Sequence, residues 1–344
     1  MLSSSKCLTL GFGAGILAGH FLPRWILHLL RHLRERLVLQ QEGNCSGPEY
    51  LALLKGLYGC PGGAADVKGI TLGPSFDPDH DVPEDHSYPY TNLPAKFVQA
   101  LFAVLQPTFM VEVGTYKGGS ALRIADAAIA SLPEDRPPPC LVCIDTFLGG
   151  PGMWLTLTRK HALLIRHGLP QVYWQFLANT KRLRHVILPL PMSSLCALRS
   201  LQKIILKDLD MPLPQFIYLD AAHEKGETLS EIRHAFHILA PGGVLLGDDL
   251  DWPAVESDLQ EFLQTQPPVM GSDDPLLGNI SGLHFSASTS KGYWVFPADP
   301  PHSPQWAIRK CDGSPSDERD KLRNFIEERE SPCPYGPKPN VFPR

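Results

Sequence analysis

Between residues 93 and 247 the apolar positions fall into two alternating rhythms. Leu93–Leu105 carries Phe97, Ala100, Leu101 and Val104 at helical spacing, and Ser120–Ser131 does the same with Leu122, Ala125 and Ile129. Further helical stretches are predicted over Val172–Lys181, over Ser194–Lys203, and through Leu229, Ile232, Phe236 and Leu239 up to the breaker Pro241-Gly242-Gly243. Among them stand short apolar runs: Phe109–Val113, Leu141–Ile144, Val186–Leu190, Phe216–Leu219 and Val244–Gly247. Runs this short without polar alternation predict strands buried on both faces. Strands alternating with helices predict a parallel sheet covered on both sides. Late in the chain, Leu283–Ser286 and Tyr293–Phe296 flank a turn-rich stretch and read as a hairpin, which sets the plan apart from a plain dinucleotide fold.

The flanks are of a different kind. Residues 1–39 contain an uncharged run, Leu8–Leu22, followed by Arg24, Arg31, Arg34 and Arg36 among apolar residues. The run is shorter than a spanning helix requires unless the stretch past Pro23 joins it. No small-x-small cleavage site precedes the arginines, so an uncleaved single-pass anchor is favoured over a removed signal peptide. An organelle-targeting peptide and a soluble amphipathic helix remain open; a spanning segment with arginines on this side would leave the rest of the chain in the cytosol. Residues 40–92 form a Gly/Pro/Asp-rich linker with one helical patch, Tyr50–Leu57, and the acidic run Phe76–Asp81 reads as a solvated loop. Residues 93–299 make the regular domain, and residues 300–344 read as a tail with one helical patch, Asp317–Arg329. The linker before Leu93 and the loop Gly149–Pro170 are where a substrate lid is expected.

A chain of 344 residues, 43% hydrophobic and 19% charged, has enough apolar material for one large α/β domain and is not disordered in bulk. Its net charge of −5 gives no electrostatic reason for a nucleic-acid partner. Cys140 and Cys143 in a strand and Cys196 in a helix are expected to pack inertly in the core. Cys45, Cys60, Cys311 and Cys333 lie in loop-like flanks, where two disulfides in an oxidising lumen are an alternative to free thiols. Two N-x-S triplets, at Asn44 and Asn279, are compatible with that compartment.

In an open parallel sheet, ligands bind beyond the carboxyl ends of the strands, so chemistry is sought there. After the first strand comes Glu112-Val113-Gly114-Thr115-Tyr116-Lys117-Gly118-Gly119-Ser120, opening a helix. Neither phosphate-loop pattern is present; the spacing is E-x-G-x-x-x-G, whose acid suits a ligand with a positive amino group better than a pyrophosphate. After the second strand come Asp145, Thr146 and Phe147: the carboxylate can accept hydrogen bonds from ribose hydroxyls, and the phenyl ring can pack on a purine. After two later strands come Asp220-Ala221-Ala222-His223 and Asp248-Asp249-Leu250-Asp251-Trp252. So many carboxylates repel one another unless a cation joins them, and oxygen ligands select Mg²⁺, Mn²⁺ or Ca²⁺.

The stretches VEVGTYKGGSAL, VCIDTFLGG, VYWQFLANT, LPLPMSSL, IYLDAAHEKGETLSEI and LAPGGVLLGDDLDW together resemble the class I methyltransferases related to bacterial macrolide-sugar and cephalosporin-pathway O-methyltransferases, over about residues 93–297. The resemblance implies an α/β fold: a Rossmann-like, doubly wound, mostly parallel seven-stranded sheet with an antiparallel last strand. It implies S-adenosylmethionine as cofactor, with Glu112, Gly114 and Gly118 around its methionine part and Asp145 at its ribose; Tyr116, Ser120, Thr146 and Phe147 complete the expected cofactor-binding set. It further implies that Asp220, Asp248 and Asp249 hold a divalent metal which positions an acceptor hydroxyl on a small molecule or saccharide. Where some relatives carry a histidine two residues past the paired aspartates, this chain has Asp251, so His223 and Asp251 are both candidates for the base.

Two rivals stand beside this expectation. A membrane-held, metal-dependent glycosyltransferase would use Asp249-Leu250-Asp251 or Asp208-Leu209-Asp210 as a D-x-D site, but it leaves the glycine turn unexplained. A non-catalytic scaffold, acting through partners or as an oligomer, has no need of self-repelling carboxylates.

Overall fold

The computed structural model describes residues 46–58, 91–156, 160–207, 211–265, 286–288, 293–296 and 303–327. Five strands run parallel: β1 (Phe109–Val113), β2 (Cys140–Asp145), β3 (Ile187–Pro191), β4 (Phe216–Leu219) and β5 (Val244–Gly247). Three more, β6 (Ser286–Ser288), β7 (Tyr293–Phe296) and β8 (Gln305–Arg309), complete a sheet of order β3-β2-β1-β4-β5-β8-β7-β6. The last strand, β8, lies antiparallel between β5 and β7. Seven strands thus form the expected Rossmann-like plan, and the three-residue β6 adds an edge.

The expected domain boundary at residue 299 does not hold, because Gln305–Arg309 is an inner strand of the sheet and not part of a tail. Trp306 explains its tight seat. Its ring lies against Gly247, its register partner, where a Cβ would come within 2.1 Å of the indole. The expected hairpin is present as β6 and β7, with its first strand displaced to Ser286–Ser288.

Nine helices surround this sheet among the described residues: α1 (Pro48–Tyr58), α2 (Ala95–Leu105), α3 (Gly119–Ser131), α4 (Pro151–Leu155), α5 (Val172–Thr180), α6 (Ser194–Lys207), α7 (Glu227–Ile238), α8 (Pro253–Thr265) and α9 (Pro315–Glu327). Two cores result from strand alternation. Val111, Val113, Val142, Ile144, Ile217 and Leu245 face the side packed by α6, α7 and α8. Met110, Leu141, Cys143, Phe216, Tyr218 and Leu246 face the side packed by α2, α3 and α5. With a period of two, Glu112, Asp145, Asp220 and Asp248 share the parity of this second set, so one face of the sheet carries the acids to its carboxyl edge.

The C-terminal segment is stapled by charge. Lys310 Nζ donates to the carbonyls of Phe236 and Leu239 at the end of α7, both at 2.9 Å, and lies 2.5 Å from Glu318 Oε2 on α9. Both side chains are buried, and α9 adds Leu322 and Phe325 to the apolar interior.

Of the cysteines, Cys140 and Cys143 are buried as expected, whereas Cys196 is exposed on α6. Cys45, Cys60 and Cys333 lie outside the described residues, as do residues 1–45, both N-x-S triplets, Phe76–Asp81 and the Asp208–Asp210 triplet. Among the described residues no helix is long and apolar enough to cross a membrane.

Candidate active site

The chain runs β1 to β2 to β3 in one direction and returns to β4 beside β1, so the order reverses between β1 and β4 and a crevice opens there. Gly114 leaves β1 at φ +91°, and a Cβ on it would stand 1.9 Å from the carbonyl oxygen of Asp220. Gly118 (φ +88°) meets Thr180 and Phe176 of α5 in the same way. The glycines of the turn are therefore demanded by protein packing: they let the ends of β1, β4 and α5 approach one another.

Glu112 is fully buried. Thr115 Oγ1 donates to its Oε2 at 2.7 Å and Cys143 Sγ lies 3.5 Å from the same oxygen. Burial, opposed by hydrogen bonds from Ser120, Thr115 and Cys143, pushes its carboxyl up to about 7. It braces the turn from beneath.

Asp145 is placed differently. Its Oδ2 accepts the backbone N–H of Tyr116 at 2.8 Å and its Oδ1 that of Phe147 at 2.7 Å. Tyr116 and Phe147 both hold left-handed backbone, at φ 46° and 56°, so one carboxylate joins two strained turns. Burial raises its pKa, against the hydrogen bonds it receives. It remains partly exposed, beside exposed Thr146 and half-buried Tyr116, with lone pairs to spare. Phe147 departs from expectation. Its ring is buried against Tyr173 and Phe176, with centroids 5.0 and 5.3 Å away, and serves the core in place of a purine. Ser120 is likewise buried, at the start of α3.

Across the crevice, Asp220, His223 and Asp249 bring ligand atoms within 4.8 Å of one another. His223 Nε2 lies 2.5 Å from Asp249 Oδ2. Burial disfavours the charged ring, but the Asp249 carboxylate outweighs it and the His223 pKa rises. Asp249 itself is lowered: burial opposes this, and hydrogen bonds from His223 and Ser303 prevail. Asp220 is driven well up by burial and by the charges of Asp248 and Asp249.

The expected metal set thus changes by one member. Asp248 turns its Oδ2 to Asn92 Nδ2 at 3.0 Å and to the Tyr218 hydroxyl at 3.4 Å, and burial together with Asp249 raises it to about 6. His223 takes its place in the cluster. Asp251 is exposed and outside the cluster, and Leu250 is buried between it and Asp249.

A recess lined by Asp220, His223, Glu231, Asp248 and Trp306 opens beneath this group. Asp248 Oδ1 and Trp306 Nε1 are buried in it without a hydrogen-bond partner. Buried polar atoms left unpaired beside repelling carboxylates fit a cation and its ligands better than an empty apolar hole.

Sequence reasoning missed the residues that fix the His223 loop. Glu231 of α7 accepts the Ala222 N–H, and its carboxyl is pushed to about 7 by burial. Thr228 Oγ1 donates to Ala222 O at 2.7 Å. Asp258 of α8 accepts the N–H groups of Gly226 and Leu229 at 2.6 and 3.1 Å. The available signal was a charged residue on a buried helix stripe, Glu231 between Leu229 and Ile232. Asn92 carries no comparable signal.

The acids and the glycine turn line the switch point of a doubly wound, Rossmann-like sheet. Residues 111–250 match the family model described as a methyltransferase domain, and this part of the chain is such a domain. No curated protein matches the chain. Solved structures similar to it include an O-methyltransferase from Bacillus cereus in complex with SAH (15% identity, 63% of this chain and 80% of that one, TM-score 0.31). Others are the O-methyltransferase TomG from Streptomyces achromogenes, involved in tomaymycin synthesis (16%, 63% and 79%, 0.36), and the calicheamicin methyltransferase CalS11 (17%, 53% and 75%, 0.37).

Proposed function

We propose that the chain transfers the methyl group of S-adenosylmethionine to a hydroxyl of a small molecule or saccharide, with a divalent cation at the Asp220–Asp249 pair. The observation that carries this reading is the order of acids along the carboxyl edge: Asp145 on β2, Glu112 on β1, Asp220 after β4, Asp248 and Asp249 after β5. A donor lying from Asp145 toward Gly114 would end beside the carboxylates that hold the acceptor.

Each residue then has a task. Asp145 accepts from the ribose hydroxyls while its own hydrogen bonds keep the Tyr116 and Phe147 turns in place. Glu112 supports the turn facing the methionine amino group. Asp220 and Asp249 would hold the cation, whose chemistry is to lower the pKa of the acceptor hydroxyl. His223 would accept that proton on the ring nitrogen not engaged by Asp249, whose carboxylate, 2.5 Å from Nε2, would stabilise the imidazolium that results. Exposed Asp251 stands apart, which favours His223 as the base. Because a sulfonium methyl is already activated, alignment supplies much of the remaining rate.

Calorimetric titration of the full-length chain with S-adenosylmethionine, with and without Mg²⁺, beside Asp145→Ala tests this. Micromolar-range binding lost in the variant supports it. A folded wild type that binds nothing overturns it in favour of a scaffold.

A further inference from the structure

From Thr146 to Lys207 the chain contains no Asp or Glu, although it has 36 elsewhere, while nine of its 31 Lys and Arg fall in this stretch. The first part of the stretch is the β2–α5 connection, which projects beside the candidate active site. Its two described halves form one unit. Gly149 lies on Leu163, where a Cβ would stand 2.4 Å from Leu163 Cδ2, Trp154 Nε1 donates to Leu148 O at 2.8 Å, and Gln171 N donates to Leu163 O at 2.9 Å. The Tyr116 hydroxyl, 3.3 Å from Ala162 O, ties the unit to the turn after β1.

This connection exposes several large aliphatics. Leu155 is 84% exposed and Leu169 63% exposed, and Leu148, Leu164 and Ile165 are exposed with them. Lys160 and Arg166 stand exposed among these residues. Clustered large aliphatics on a soluble surface mark an interaction site. The connection itself, residues 146–171, carries Arg159, Lys160 and Arg166 and no acid, which favours an anionic partner, and exposed aliphatics flanked by cations match the boundary between lipid headgroups and acyl chains. A nucleic acid would instead call for aromatic stacking platforms.

We propose that the β2–α5 projection, through Leu155, Leu164, Ile165 and Leu169 with Lys160 and Arg166, docks onto an anionic membrane surface and sets the mouth of the active site against it. This surface is independent of the methyl-transfer reading.

The test is flotation of the full-length chain with phosphatidylcholine vesicles, with and without phosphatidylserine. The variants are Leu155→Glu/Ile165→Glu and Lys160→Glu/Arg166→Glu, each checked for an unchanged thermal midpoint. The hydrophobic N-terminal run is identical in all of them and cannot account for a difference. Wild type is expected to favour anionic vesicles; the apolar variant loses roughly tenfold in partitioning, and the charge-reversed variant loses the preference for phosphatidylserine. Variants that float like wild type overturn the proposal. So does a wild type indifferent to phosphatidylserine whose size in gel filtration falls in the apolar variant, which assigns the face to a second copy of the chain.

Discussion

The carbonyl oxygen of Asp220 occupies the space that a side chain on Gly114 would need. One contact therefore couples the turn after β1 to the first residue of the Asp220, His223 and Asp249 group. Gly114→Ala combines a left-handed backbone with a collision against main chain, which cannot rotate away. A loss of about 3 kcal/mol or more is expected in urea unfolding, with cofactor binding weakened in whatever folded protein remains.

Glu112 and Glu231 make stability depend on pH. Both carboxyls rise from an ordinary 4.5 to about 7 through burial. Between those values the folded chain holds more protons than the unfolded chain, so stability falls as pH rises and reaches its lower level above about pH 7. Each group accounts for about 3 kcal/mol across that window. The raised His223 acts in the same sense, while the lowered Asp249 and Glu318 lose their contributions only at more acid pH. Thermal midpoints should be higher near pH 5.5 than near pH 8, and Glu112→Gln should flatten part of the slope. A midpoint that climbs with pH would contradict it.

In the Asp220, His223 and Asp249 group the proposed function is set against stability. Without metal, Asp220→Asn removes a carboxyl whose ionisation is opposed by burial and by Asp248 and Asp249, so the variant should be more stable than wild type at pH 8, by about 1 kcal/mol or more. Mg²⁺ or Mn²⁺ should raise the wild-type midpoint at pH 8 and leave the variant unmoved. Methyl transfer should be abolished in the same protein.

His223→Gln should lower kcat by roughly 10²–10⁴ while leaving S-adenosylmethionine affinity near wild type, because the ring takes a proton and does not touch the donor. Asp251→Asn should change little. The reverse pattern would move the base to Asp251.

Truncation after residue 299 should abolish cooperative folding, and Lys310→Met should cost about 3 kcal/mol by taking the donor from the Phe236 and Leu239 carbonyls and leaving Glu318 with exposed Lys321 alone. Circular dichroism during denaturation distinguishes both from a dispensable tail.

The inner parallel strands were legible because burial on both faces leaves nearly continuous apolar runs: Phe109–Val113, broken only by Glu112, and Phe216–Leu219 and Val244–Gly247 coincide with their predicted bounds. β8 was not, since Gln305 and Arg309 bracket three apolar residues after a proline-rich approach, and what buries it is the distant Gly247. α8 does carry a signal in the spacing of Val255, Leu259 and Phe262. At the site, residue types following a strand revealed which acids gather but not how they turn. Asp248 and Asp249 are neighbours, yet the left-handed φ of 56° at Asp249 sends one toward His223 while Asn92 and Tyr218 claim the other. Phe147, placed as a purine platform by position, was claimed by Tyr173 and Phe176.

The seating of Trp306 on Gly247 has a consequence for synthesis. Domains emerge from the ribosome N-terminal end first, at roughly 5–20 residues per second. All five parallel strands and every acid of the site are translated before the strand that closes β5. Until residues 305–309 follow, the open side of β5 is bare. The nascent chain thus carries the acids of the carboxyl edge before the strand that walls them, and the candidate site is completed only after all five parallel strands have been made.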